Sequence, residues 1–109
     1  MSKDGMSTNA LDRLAATIKA RREATLEDSY TKRLLADPVK PAKKVGEEGV
    51  EVAIAAVAQD RDALISETAD LLYHLLVVLE SRDATLEEVY DELERRMGEA
   101  DEKRKAASV

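Results

Sequence analysis

The chain has 109 residues, with 23 Asp and Glu against 17 Lys and Arg, a net charge of −6, one His, and no Cys, Trp or Phe. These numbers exclude disulfides, a thiol nucleophile and a Cys- or His-rich zinc site, and they argue against general nucleic-acid binding, since there is neither a dominant basic stripe nor an aromatic platform. The length fits one domain with a modest core, so an oligomer that shares core surface is expected.

Residues 1–9 are polar and aperiodic and read as a disordered arm ahead of a helical domain over 10–97. The first helix carries Leu11, Leu14, Ala15 and Ile18 at helical spacing. Thr25, before Leu26, Glu27 and Asp28, supplies an N-cap signature for a short helix that ends near Ala36 and holds Tyr30, Leu34 and Leu35. Pro38 and Pro41 are compatible with a helix start, where a missing N–H costs little. A long helix follows from about Lys40 to Gln59, and Asp60 and Asp62 compete as N-caps of another that reaches Ser81. In that helix the run from Leu71 to Leu79 is uncharged but far short of the roughly 20 residues a bilayer span needs. With no charged-then-apolar leader at the start, the expected location is the cytoplasm.

Thr85 and Glu88 form a capping box for the last helix, which carries Leu86, Val89, Tyr90, Leu93 and Met97. From Gly98 the sequence is polar and reads as a fraying tail over 98–109. No segment alternates with a period of two, so the expected fold is an all-α bundle of four to five helices.

The chemistry concentrates in the two most apolar helices. From Val45 to Ala58 the only charged residues are Glu47, Glu48 and Glu51; from Ala63 to Leu79 they are Glu67 and Asp70. Between Val45 and Ser81 the only basic residue is Arg61, in the turn, where the chain's mean density would give about six. Glu47, Glu48 and Glu51 fall within an arc of about 100° on their helix. Glu67 and Asp70 are spaced i,i+3, so they too are neighbours. A nearly all-apolar helix cannot bury so many like charges without a remedy. The carboxylates can protonate, pair with distant bases, face a wet cleft or bind cations. Clustered oxygen ligands with no nitrogen or sulfur select a hard ion, Mg²⁺ or Mn²⁺ above Zn²⁺, and such an ion completes its shell with water and phosphate oxygens.

Lys40, Lys43 and Lys44 precede the acidic cluster. They suit either the phosphates of a substrate or simple solvation of the helix start, with a Lys44–Glu48 pair at i,i+4. Gly46 and Gly49 lie inside the helix, where close approach of another helix or a ligand would justify them. His74 shares a face with Glu67 and Asp70; it reads first as a satisfied core residue and second as a group that orients a carboxylate. The three tyrosines read as packing.

The pattern E-E-x-x-E at Glu47-Glu48-Gly49-Val50-Glu51, followed by E-x-x-D at Glu67-Thr68-Ala69-Asp70, resembles the all-α nucleotide pyrophosphohydrolase (MazG-like) superfamily. Finer features resemble its phosphoribosyl-ATP pyrophosphohydrolase branch, of histidine biosynthesis. These are Ser29-Tyr30-Thr31 with Leu34-Leu35, Lys43-Lys44-Val45-Gly46-Glu47-Glu48, Ala69 through Leu76, and Val89-Tyr90 with Leu93 through Arg96. The resemblance implies hydrolysis of phosphoribosyl-ATP to phosphoribosyl-AMP and pyrophosphate with Mg²⁺, Mn²⁺ being an alternative ion. It also implies Glu48, Glu51, Glu67 and Asp70 as metal ligands, Glu47 as a further ligand or the base for the attacking water, and Lys40, Lys43 and Lys44 near the phosphates. Relatives form homodimers or higher assemblies. Two departures stand out: Ala36-Asp37-Pro38-Val39 where relatives often carry Gly, and Gly49 where Ala is common. Two rival expectations remain, a housecleaning (d)NTP pyrophosphohydrolase with the same acidic site and a non-catalytic helical module whose acidic clusters bind a basic partner.

Overall fold

The structure, a computed structural model, describes residues 9–23 and 30–107. These form five α-helices: α1 (Ala10–Glu23), α2 (Tyr30–Ala36), α3 (Val39–Ala58), α4 (Arg61–Ser81) and α5 (Leu86–Ala107). Among the described residues there is no strand, as the absence of period-two patterning leads one to expect. The proposed Thr25 cap lies outside the described residues.

Local chemistry explains most boundaries. The Asn9 side chain accepts from the Leu11 and Asp12 amides at 2.8 and 3.3 Å and opens α1. Pro38 is the N-cap residue of α3 and Pro41 is buried in its first turn, where no amide donor is missed. Between the two candidate caps of α4, the structure selects Asp60, whose carboxylate accepts from the Ala63 amide at 2.9 Å. The capping box of α5 forms as its sequence predicts: the Glu88 amide donates to Thr85 Oγ1 at 3.1 Å, and the Thr85 amide donates to Glu88 Oε1 at 2.8 Å.

The last helix differs from the sequence expectation. It does not stop near Met97 but runs through Gly98 to Ala107. An interior glycine costs only about 1 kcal/mol relative to alanine. The residues beyond it are good helix formers, laced by ion pairs such as Arg95–Glu99 and Arg104–Asp101 at 2.6 and 3.0 Å.

α3 and α4, joined through Gln59 and Asp60, form a helical hairpin with the largest contact in the chain; α1 packs on α4, and α2 touches α1, α3 and α4. The core is Ile18, Leu34, Leu76 and Val77, with Leu11, Leu14, Ala15, Leu35, Tyr73, Leu79 and Leu86 packed around it. The stripe read in α1 therefore faces inward, with Ile18 at its centre. Arg22 fastens the end of α1 to the α4–α5 turn, donating at 2.8 Å to both Glu80 and Asp83. Asp83 holds φ 56, a left-handed conformation that Asp tolerates better than most side chains. α5 joins the body through Leu86 and through Tyr90, whose hydroxyl donates to Asp12 at 2.9 Å.

Around Gly46 and Gly49 the structure shows open space, since a Cβ at either would meet nothing within 4 Å. The close approach expected there is not made among the described residues, and nothing in their packing explains the two glycines.

Candidate active site

The hairpin geometry brings the two acidic clusters together. Glu67 on α4 is half-buried, and its carboxyl is held above the usual carboxylate range. The largest cause is loss of solvent; a hydrogen bond with Glu51 follows, and then the negative charges of Glu51, Asp70 and Glu48. Four of the five sequence-predicted acids thus act on one another across the α3–α4 seam. Glu51 and Asp70 are exposed, and Glu48 is buried with 8% of its surface accessible. Glu47 is exposed and makes no hydrogen bond or ion pair among the described residues.

Glu48 does not pair with Lys44, as its i,i+4 spacing had allowed. Its Oε1 accepts instead from His74 Nδ1 at 2.7 Å, across the hairpin. His74 is a satisfied core residue, 6% exposed, and its partner is a carboxylate of the cluster. Its Nε2 lies 3.2 Å from the Tyr30 hydroxyl, and Nδ1 also lies 3.1 Å from the Asp70 carbonyl oxygen. Tyr73 packs edge-on against the imidazole with centroids 4.9 Å apart, and its hydroxyl is hydrogen-bonded to Thr31 Oγ1. Tyr30 and Tyr73 stack at 6.2 Å.

These tyrosines and Thr31 are what the sequence reading missed, since it assigned the tyrosines to packing alone. The available signal was general: a buried tyrosine hydroxyl or imidazole must find a hydrogen-bond partner. The partners lie more than 40 positions away in sequence.

Lys40 and Lys44 share the helical arc of Glu47, Glu48 and Glu51, about 100° wide, with Lys43 just past its edge. Lys40 and Lys43 are exposed and Lys44 is half-buried; none forms an ion pair among the described residues. One face of α3 thus runs from unpaired cations at its start to carboxylates two turns on.

Glu48, Glu51, Glu67 and Asp70 offer oxygen donors only and can hold a hard divalent cation between the two helices. Among the described residues, no three acidic or histidine side chains stand arranged as a finished metal cage. A separate apolar cavity of about 170 Å³, lined by Ala15, Leu76, Leu79, Ala84 and Leu86, involves none of these acids.

Comparison with known proteins supplies an independent line. The sequence profile of the phosphoribosyl-ATP pyrophosphohydrolase family matches residues 11–97. The chain is 54% identical over 97 residues to a protein of Caulobacter sp. (strain K31), covering 89% of this chain and 91% of the relative. It is 57% identical over 91 residues to one of Cereibacter sphaeroides (strain ATCC 17025 / ATH 2.4.3), covering 83% and 88%. With a relative in Paracoccus denitrificans (strain Pd 1222) it shares 53% over 104 residues, or 94% of this chain and 96% of the other. Each of the three bears the name phosphoribosyl-ATP pyrophosphatase.

Proposed function

The chain belongs to the phosphoribosyl-ATP pyrophosphohydrolase family, a hydrolase cleaving phosphoribosyl-ATP to phosphoribosyl-AMP and pyrophosphate in histidine biosynthesis, and we propose that it does so with Mg²⁺ or Mn²⁺ held by Glu48, Glu51, Glu67 and Asp70. The observation that carries the metal assignment is Glu67: a half-buried carboxyl acted on by Glu51 and Glu48 across the seam and by Asp70 on its own helix. Clustered like charges of this kind cost stability unless a cation offsets them.

Each residue then has a task. Lys40, Lys43 and Lys44, unpaired at the start of α3, hold phosphate oxygens of the triphosphate. Glu48, Glu51, Glu67 and Asp70 hold the cation, which when bound neutralises the phosphates and polarises the phosphorus under attack. Glu47, exposed and without another partner, orients a water and takes its proton. The water oxygen bonds to the α-phosphorus, the bond from that phosphorus to the bridging oxygen breaks, and the bridging oxygen leaves with pyrophosphate. Holding water and phosphorus in line supplies much of the acceleration in such reactions.

The same proposal includes a homo-oligomer and a cytoplasmic location. Supporting the first, Val39, Val50, Ile54 and Val57 on α3 and Ile65, Leu72 and Leu75 on α4 are exposed, as are Val89, Leu93 and Met97 on α5. Among the described residues no helix is long and apolar enough to cross a membrane.

The test is pyrophosphate release from phosphoribosyl-ATP beside a panel of dNTPs, each with Mg²⁺ and with EDTA. Metal-dependent turnover confined to phosphoribosyl-ATP is expected. Turnover of dNTPs alone would keep the site and change the substrate, and equal rates in EDTA would remove the metal.

A further inference from the structure

The reaction outlined above makes no use of His74 or Tyr30, although their geometry is the most constrained around the site. A carbonyl oxygen only accepts hydrogen bonds, so the 3.1 Å contact with the Asp70 carbonyl places a hydrogen on Nδ1. That N–H also points to Glu48 Oε1 at 2.7 Å. On the far side of the ring, Nε2 lies 3.2 Å from the Tyr30 hydroxyl and is hydrogen-bonded to it. The edge contact with Tyr73 fixes the plane of the ring. The hydrogen on Nδ1 and the orientation of the ring are set by three helices meeting at one side chain.

The Asp70 carbonyl alone would satisfy Nδ1 if the histidine were only filling space. Its shortest bond goes instead to Glu48, the buried carboxylate of the cluster. Glu48 accepts no second hydrogen bond among the described residues, so Oε2 is left open. We infer that His74, itself oriented by Tyr30, is a positioning residue for Glu48: it occupies Oε1 and holds the carboxylate so that Oε2 is offered to a divalent cation. This rests on the metal assignment proposed above. A hydrogen bond to one oxygen of a ligating carboxylate fixes its orientation and leaves the other oxygen to the ion. It also freezes the rotamers of a long side chain before the ion arrives, so less ordering remains to be done on binding.

Mn²⁺ binding to the full chain without substrate, followed by the loss of the free-ion electron paramagnetic resonance signal, tests this directly. An asparagine amide nitrogen reaches the place of Nδ1 and a glutamine amide nitrogen the place of Nε2. His74→Asn is therefore expected to stay within about threefold of the wild-type Mn²⁺ affinity, while His74→Gln and His74→Leu weaken it by about tenfold or more. Tyr30→Phe moves it the same way by less. In turnover, the Mg²⁺ concentration for half-maximal rate shifts in parallel, with KM for phosphoribosyl-ATP at saturating Mg²⁺ unchanged. Circular dichroism reports folding, and if His74→Leu does not fold, the Asn and Gln pair decides.

Equal affinities for His74→Asn and His74→Gln overturn the inference while leaving the metal site standing. A wild-type chain that binds no Mn²⁺ at millimolar concentration overturns both. A split between Asn and Gln in a protein that leaves phosphoribosyl-ATP intact supports the positioning role and removes only the substrate.

Discussion

Glu92 on α5 and Glu67 on α4 are the same residue in the same secondary structure, with opposite surroundings. Glu92 accepts from Arg95 and Arg96 at 2.7 and 2.8 Å, and those hydrogen bonds pull its carboxyl down to about 2. Glu67 loses solvent and faces Glu51, Asp70 and Glu48, and it is pushed up. α5 alternates its signs at i,i+3 and i,i+4 and settles its charge locally. The α3–α4 seam concentrates one sign, with no Lys or Arg paired to its carboxylates among the described residues. The contrast separates charge settled between neighbours on one helix from charge that the proposed cation would settle.

The largest effect expected from breaking this contrast is on catalysis. Glu51→Ala or Asp70→Ala should lower turnover of phosphoribosyl-ATP on the order of a thousandfold, with helical content by circular dichroism unchanged. Glu92→Ala, the matched change on α5, should leave the rate within about twofold. Thermal melting gives the next test. Mg²⁺ at about 100 times its Kd should stabilise the wild-type chain by about 2.7 kcal/mol relative to EDTA. In the Asp70→Ala variant that gain should largely vanish.

A smaller effect concerns Glu67 itself. Its pKa is raised on folding, so its ionised form is destabilising in the folded chain; the penalty is absent below the unfolded value of 4.5 and complete above the folded one. Glu67→Gln should therefore raise Tm in EDTA at pH 7, and the gain should shrink as pH falls toward 4.5. Glu92 has the opposite sign. Its stabilisation is present above 4.5 and is lost as pH falls through about 2. Glu92→Gln should lower Tm slightly at pH 7, and about 1 M salt should remove most of the difference, because the ion pairs are exposed.

Much of this arrangement was legible in the sequence because it depends on one helix at a time. Helical spacing put Ile18 in a buried stripe, and cap chemistry placed the start of α5 and narrowed that of α4 to Asp60 or Asp62. Oxygen-only donors at i,i+3 and i,i+4 on two apolar helices, with one base between Val45 and Ser81, located the seam. What escaped depends on how helices cross. A wheel drawn for α3 puts Glu47, Glu48 and Glu51 on one arc, but only packing against α4 buries Glu48 and leaves Glu47 exposed. The Tyr30–His74–Glu48 chain joins residues 44 and 26 positions apart, and no local pattern announces it. The extension of α5 escaped for another reason: Gly98 and the polar residues after it suggest a fraying end, although the Ala-, Glu- and Lys-rich sequence there favours continuing the helix.

Whether the one-signed seam holds a catalytic cation is read most directly from the rate of phosphoribosyl-ATP hydrolysis as a function of Mg²⁺ in the wild type and in Asp70→Ala. A saturable rise from near zero is expected in the wild type and a flat, near-zero line in the variant. Full turnover in EDTA, or a variant with the wild-type Mg²⁺ curve, would contradict it.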